Sequence, residues 1–163
     1  MKDKLNSIFL KKTTSSDEHF VHLVRFLDRE LAERDGDEHA FYAQFNKIDA
    51  LNNVVVAYEN DTPVGCGAFK EIAPGTVEIK RMYVPPEHRS KGIASLVLLE
   101  LEKWAAALGF HTARLETGKR QPEAIRLYEK NGYALIPNYG QYADVDNSVC
   151  FEKQLLTTPG ATR

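Results

Sequence analysis

From Val77 to Ala94 the chain reads VEIKRMYVPPEHRSKGIA: a β-like run, a double proline, and a basic glycine turn opening a long helical pattern. The turn, Arg89-Ser90-Lys91-Gly92-Ile93-Ala94, sets two cationic residues where a helix begins. The first amides of a helix have no intrahelical acceptor, and the helix dipole favours an anion beside them. Gly92 lacks a Cβ, so a ligand can approach its main chain closely. These residue types in this order have the chemistry of a phosphate site, and they predict a phosphorylated cofactor.

The elements around the turn must hold it in place. Ser7–Lys12 reads as a short first strand. Ser15 or Ser16 is placed to cap a helix, in which Phe20, Leu23, Val24, Leu27 and Leu31 recur at helical spacing up to Asp35-Gly36-Asp37. Phe41, Phe45 and Ile48 suggest a second, shorter helix. Val54–Glu59 and Val64–Ile72 flank the turn Asn60-Asp61-Thr62-Pro63 and read as a hairpin. Pro74-Gly75 turns the chain into a third strand, Val77–Val84.

The helix after the glycine turn runs from about Ser90 to Leu108, with Ile93, Val97, Leu101, Trp104 and Leu108 as its buried stripe. Leu96, Leu98 and Leu99 widen that stripe, and Gly109 is a natural C-cap. Ala113–Glu116 is a short strand, and Pro122 suits the first turn of a helix closed by Asn131-Gly132. Tyr133–Ile136 and Ser148–Gln154 read as closing strands, followed by a frayed tail over 156–163. The order predicts an α/β fold: a single domain over 1–163 whose mixed, twisted sheet of about six or seven strands is flanked by about four helices.

Bulk properties narrow the functional classes. The 163 residues are 43% hydrophobic and 27% charged, with a net charge of −2. That balance lacks the basic field expected of a nucleic-acid binder. Cys66 and Cys150 stand far apart, without metal-ligand spacing, and read as small buried hydrophobes of a reducing compartment. His19, His22, His39, His88 and His111 form neither a zinc pattern nor a triad, so no metal is expected. No run has signal-peptide or transmembrane length, which makes the cytoplasm the expected location. An ATP-binding P-loop fits poorly, because Lys91 precedes Gly92 and no Gly-Lys-Ser/Thr ending exists.

Arg89–Ala94, together with Ala124-Ile125-Arg126-Leu127-Tyr128-Glu129-Lys130-Asn131-Gly132-Tyr133, resembles the two signatures of the GNAT superfamily of N-acetyltransferases. The first signature is Gln or Arg, two variable residues, Gly, one variable residue, then Gly or Ala. The resemblance covers roughly Val54–Leu155, and the element order extends it to the N-terminus. It implies acetyl-CoA as cosubstrate and strands splayed at the coenzyme A cleft. It also implies a cofactor-binding set of Met82, Tyr83, Val84, Arg89, Ser90, Lys91, Gly92, Ile93, Ala94 and Gln121. The family often has Asn where this chain has Gln121. The strand ending at Val84 is expected to bulge, offering backbone groups to the pantetheine arm and an amide to the thioester carbonyl; Pro85 and Pro86 have no N–H to continue a ladder.

Two side chains carry the implied chemistry. Tyr128 matches the family's usual general-acid position, which implies protonation of the departing coenzyme A thiolate or, since thiols are more acidic than tyrosine, a hydrogen bond to the sulfur alone. Glu78 stands where some members carry a carboxylate base. Glu78, Lys80, Met82 and Val84 share one strand face if no bulge intervenes. The acidic turn of Glu33, Asp35, Asp37 and Glu38 is a candidate rim for a cationic acceptor, and Ile136–Tyr142 is a candidate wall. The resulting expectation is direct acetyl transfer to a primary amine of a small molecule or peptide, with no membrane partner and a homodimer left open. The rival is a non-catalytic acyl-CoA sensor.

Overall fold

The computed structural model describes residues 7–36 and 50–155. In chain order the elements are β1 (Ile8–Thr13), α1 (Glu18–Asp35), β2 (Asn53–Glu59), β3 (Thr62–Ala73), β4 (Thr76–Tyr83), α2 (Ile93–Ala107), β5 (Thr112–Gly118), α3 (Pro122–Lys130), β6 (Ala134–Ile136) and β7 (Ser148–Gln154). The strands hydrogen-bond in the order β1-β2-β3-β4-β5-β7-β6. The fold is α/β with a mixed seven-stranded sheet, as expected, and three α-helices among the described residues. The predicted helix over Phe41–Ile48 and the predicted frayed tail lie outside them.

Contacts group the described residues into two units, one drawn from 1–70 and 80–101, the other from 71–79 and 102–163. In the first unit β2 pairs antiparallel with both β1 and β3. The hairpin loop is shorter than the sequence suggests. Glu59 faces Thr62, and only Asn60 and Asp61 turn, at φ 50° and 70°. Two residues of positive φ match the twist of the flanking strands, so Pro63 falls inside β3. Helix α1 lays Phe20, Leu23, Val24 and Leu27 into a core with Val54, Val56, Cys66, Ala68 and Tyr83. Its cap is Asp17, rather than Ser15 or Ser16. The Asp17 carboxylate accepts from the His19 and Phe20 amides at 2.9 and 3.2 Å, while Ser15 Oγ accepts from the Leu51 amide at 2.8 Å.

Two glycines of β3 bring this unit's helix and strand together. A Cβ at Gly65 would lie 2.9 Å from Ile93 Cγ2, and one at Gly67 would strike Met82 Sδ and come within 2.9 Å of Leu101 Cδ1. In α2, Ile93, Val97, Leu98, Leu101 and Ala105 are buried; Leu99 and Leu108 face solvent, so the stripe is narrower than predicted.

In the second unit β4 runs parallel to β5 over Thr76–Glu78 opposite Thr112–Arg114, and the ladder ends there. β7 lies antiparallel between β5 and β6. On α2, Glu102 is buried and satisfied at both oxygens, accepting from Tyr133 Oη and Lys153 Nζ at 2.9 Å each.

Candidate active site

In the first unit the basic turn adopts a conformation that gathers N–H groups. Ser90 and Gly92 take φ of 65° and 85° on either side of Lys91, and α2 begins at Ile93. The first helical bond runs from Leu96 N to Gly92 O at 3.1 Å, which leaves the Ile93 and Ala94 amides directed out of the helix start. Alternation of left- and right-handed residues is the geometry of an anion-binding nest. Arg89 does not offer its guanidinium to that nest. Its Nε donates to Val84 O at 2.7 Å, its Nη2 donates to Glu30 Oε1 at 2.8 Å, and the group lies 5.6 Å from the Tyr83 ring centre. Arg89 therefore braces the end of β4 against α1.

The β4 backbone leaves the extended conformation at Arg81, with φ 61°. A non-glycine residue there costs about 1–2 kcal/mol, so the surroundings must hold it. They do so through the side chain, which is 3% exposed and donates from Nη1 to Asp28 Oδ1 at 2.8 Å. Cys66 Sγ donates to the Arg81 carbonyl at 3.4 Å. The positive φ at Arg81 interrupts the alternation on which a shared face for Glu78, Lys80, Met82 and Val84 depends. We expect Arg81→Gly to be more stable than Arg81→Ala by about 1 kcal/mol, reversing the usual order in a strand, since only glycine adopts this φ without strain. Urea midpoints would measure the difference. Equal midpoints would remove the strain from the account.

The second unit holds a different arrangement. Glu78 is 4% exposed, and Tyr139 Oη donates to its Oε2 at 2.7 Å. Tyr142 stands edge-on to Tyr139 with ring centres 5.7 Å apart. Arg114, opposite Glu78 in the ladder, lies 5.6 Å over the Tyr139 ring and donates to Glu152 at 2.8 Å. Glu116 accepts from Ser148 Oγ at 2.7 Å. Burial pushes the Tyr142 hydroxyl above its usual range, and the charges of Glu78 and Glu116 push it further. Asn138 pins the loop by donating to the Val145 and Ser148 carbonyls at 3.1 and 3.0 Å. Within Ile136–Tyr142, Tyr139 reaches Glu78 and Tyr142 packs edge-on to Tyr139.

Tyr128 projects from α3 and is 6% exposed, edge-on to Tyr133 at 5.8 Å and tilted to Phe151 at 6.3 Å. Burial, then the charge of Glu116, raises its hydroxyl pKa, so it stays protonated at neutral pH. Gln121 precedes α3 and makes no side-chain cap bond; its Nε2 lies 3.6 Å from where a Gly118 Cβ would be. Glu78, Tyr128 and Gln121 belong to the second unit, and Met82–Val84 and Arg89–Ala94 to the first. Asp37 and Glu38 of the acidic turn lie outside the described residues. Arg81, Glu116 and Asn147 have no sequence signal of their own. Among the described residues no group of three His, Cys, Asp or Glu could hold a metal, and no helix is long and apolar enough to cross a membrane.

A mixed seven-stranded sheet with an anion nest at the start of α2 is an α/β arrangement suited to a phosphorylated ligand. Residues 20–133 match the acetyltransferase (GNAT) family model, and the chain belongs to that family. It is 35% identical over 143 residues to an IAA acetyltransferase of Azospirillum brasilense, covering 83% of this chain and 90% of the relative. A Klebsiella pneumoniae protein described as an acyl-CoA N-acyltransferase superposes with a TM-score of 0.77 at 28% identity, covering 91% of this chain and 98% of that one. The PaiA N-acetyltransferase of Thermoplasma acidophilum, solved with coenzyme A, shares the fold with a TM-score of 0.65 at 24% identity, over 91% and 99% of the two chains. As a family member this chain is an acyltransferase with acetyl-CoA as cosubstrate. The nest at Ser90–Ala94 fits the cosubstrate's diphosphate.

Proposed function

We propose that this protein transfers an acetyl group from acetyl-CoA directly to a primary amine of a small molecule or peptide. The observation that carries this reading is the buried Glu78, held by the Tyr139 hydroxyl, with Tyr142 edge-on to Tyr139. Carboxylates and aromatic faces favour an ammonium, and a neutral amine must form before attack. Acetyl-CoA, when bound, supplies an activated acyl carbonyl. Glu78 takes the ammonium proton, directly or through water. Tyr128 donates a hydrogen bond to the departing sulfur. The neutral amine nitrogen bonds to the acyl carbon and gives up its second proton to solvent, the carbon–sulfur bond breaks, and coenzyme A leaves as a thiolate.

The cysteines support direct transfer. Burial pushes the Cys66 thiol up to about 12 and the Cys150 thiol up to about 11. Both remain protonated at neutral pH and are poor nucleophiles. The test is thiol release from acetyl-CoA across polyamines, amino acids, aminoglycosides and peptides. We expect amine-dependent release, with kcat/KM lowered at least roughly tenfold in Glu78→Gln and less in Tyr139→Phe. Coenzyme A binding without amine-dependent release from any of these would make the chain a sensor. Unchanged rates in Glu78→Gln would remove the base.

A further inference from the structure

Arg81 is a buried cation with less compensation than its burial demands. Its side chain is 3% exposed, and Nη1 donates to Asp28 Oδ1 at 2.8 Å. Nη2 is buried and has no hydrogen-bond partner among the described residues. Asp28 is a loose counterion, because its own side chain is 46% exposed and it engages only one of the two terminal nitrogens. A guanidinium and a carboxylate pair best as a fork, with both terminal nitrogens donating to both oxygens. A buried charge with a donor left over is costly. The conformation of β4 does not account for that cost. A guanidinium does nothing to ease φ 61°, which glycine adopts without strain. Strain of this kind persists at sites that use it.

We propose that Arg81 binds a carboxylate of the acetyl acceptor, and that Asp28 holds its place until the acceptor arrives. This rests on the amine-acetylation reading, and it narrows the acceptor to an amino acid or another amine that bears a carboxylate. The exchange replaces one carboxylate by another, so the charge balance at Arg81 is kept. A phosphate would bring additional negative charge. Asp28 turns to water at little cost, since it is already half-exposed, and the incoming group takes Nη1 and Nη2 together. Along β4 Arg81 follows Glu78 by three residues. One strand therefore supplies a base for an ammonium and a cation for a carboxylate.

Two variants of the full chain test this. Arg81→Lys keeps the charge and removes the fork, while Asp28→Asn removes the internal competitor at the same size. Thiol release from acetyl-CoA is measured with amino acids and with their decarboxylated amines, in pairs such as lysine with cadaverine and phenylalanine with phenethylamine. The ratio of kcat/KM within a pair is compared between proteins, so that the intrinsic basicity of each amine cancels. Arg81→Lys is expected to lower the ratio of amino acid to amine roughly tenfold. Asp28→Asn is expected to raise it about threefold, through a lower KM for the amino acid. An ion pair with a purely structural role predicts lower melting temperatures and no change in either ratio. A ratio unchanged in Asp28→Asn overturns the carboxylate site, even where Arg81→Lys fails to fold, and leaves the amine-acetylation reading intact. A parent chain that releases no thiol with any amine or amino acid overturns both.

Discussion

Gly92→Glu is expected to abolish measurable coenzyme A binding while the chain stays folded. Gly92 sits at φ 85°, immediately before α2. Any L-residue there incurs about 1–2 kcal/mol of backbone strain, against a typical domain stability of about 5–15 kcal/mol. The strain alone is therefore survivable. The carboxylate is more damaging to binding, because it sets a negative charge at the helix start where the diphosphate would lie, and competes for the same amides. Gly92→Ala separates the two effects. It carries the same strain without the charge, and should retain intermediate affinity. Calorimetric titration gives the affinities, and thermal melting followed by circular dichroism confirms the fold. Full affinity in Gly92→Glu would remove the turn from the cofactor site.

The nest was legible because its determinants are local. A strand, Pro85-Pro86, a glycine and a long apolar helix pattern are adjacent in sequence, and each states its own geometry. The hairpin was legible for the same reason, and its error was also local. A two-residue loop of positive φ at Asn60-Asp61 drew Pro63 into the strand. The distant partnerships could not be read. Tyr139 reaches Glu78 from 61 positions away, and Arg81 reaches Asp28 from 53. In sequence Arg81 stands between Lys80 and Met82 like any surface cation, yet it takes a positive φ. Arg89 fits the loop pattern, but its guanidinium is taken by Val84 and Glu30, which no motif reports. The need for glycine at 65 and 67 comes from the distant atoms that pack over them, Ile93 and Leu101 among them.

Tyr128→Phe is expected to lower kcat about a hundredfold while leaving coenzyme A affinity unchanged, the scale seen when a donor to developing charge is removed. The substitution deletes one oxygen and keeps the ring that packs on Tyr133 and Phe151, so stability should change by about 1 kcal/mol or less. The role is a hydrogen bond rather than full proton transfer. A thiol is already more acidic than a phenol, and burial with Glu116 raises the Tyr128 pKa above its ordinary value of 10.0, widening the gap. The same shift fixes the sign of a pH test. Tyr128 donates only while protonated, so raising pH removes the donor, and the raised pKa moves that loss upward. The parent's kcat should therefore show no alkaline limb from this group below pH 10, and Tyr128→Phe should be slowed by a constant factor across that range. Stopped-flow thiol release would measure it. A deficit that shrinks as pH rises through neutrality would mean that Tyr128 ionises there, and would contradict both its burial and its assignment as the donor to sulfur.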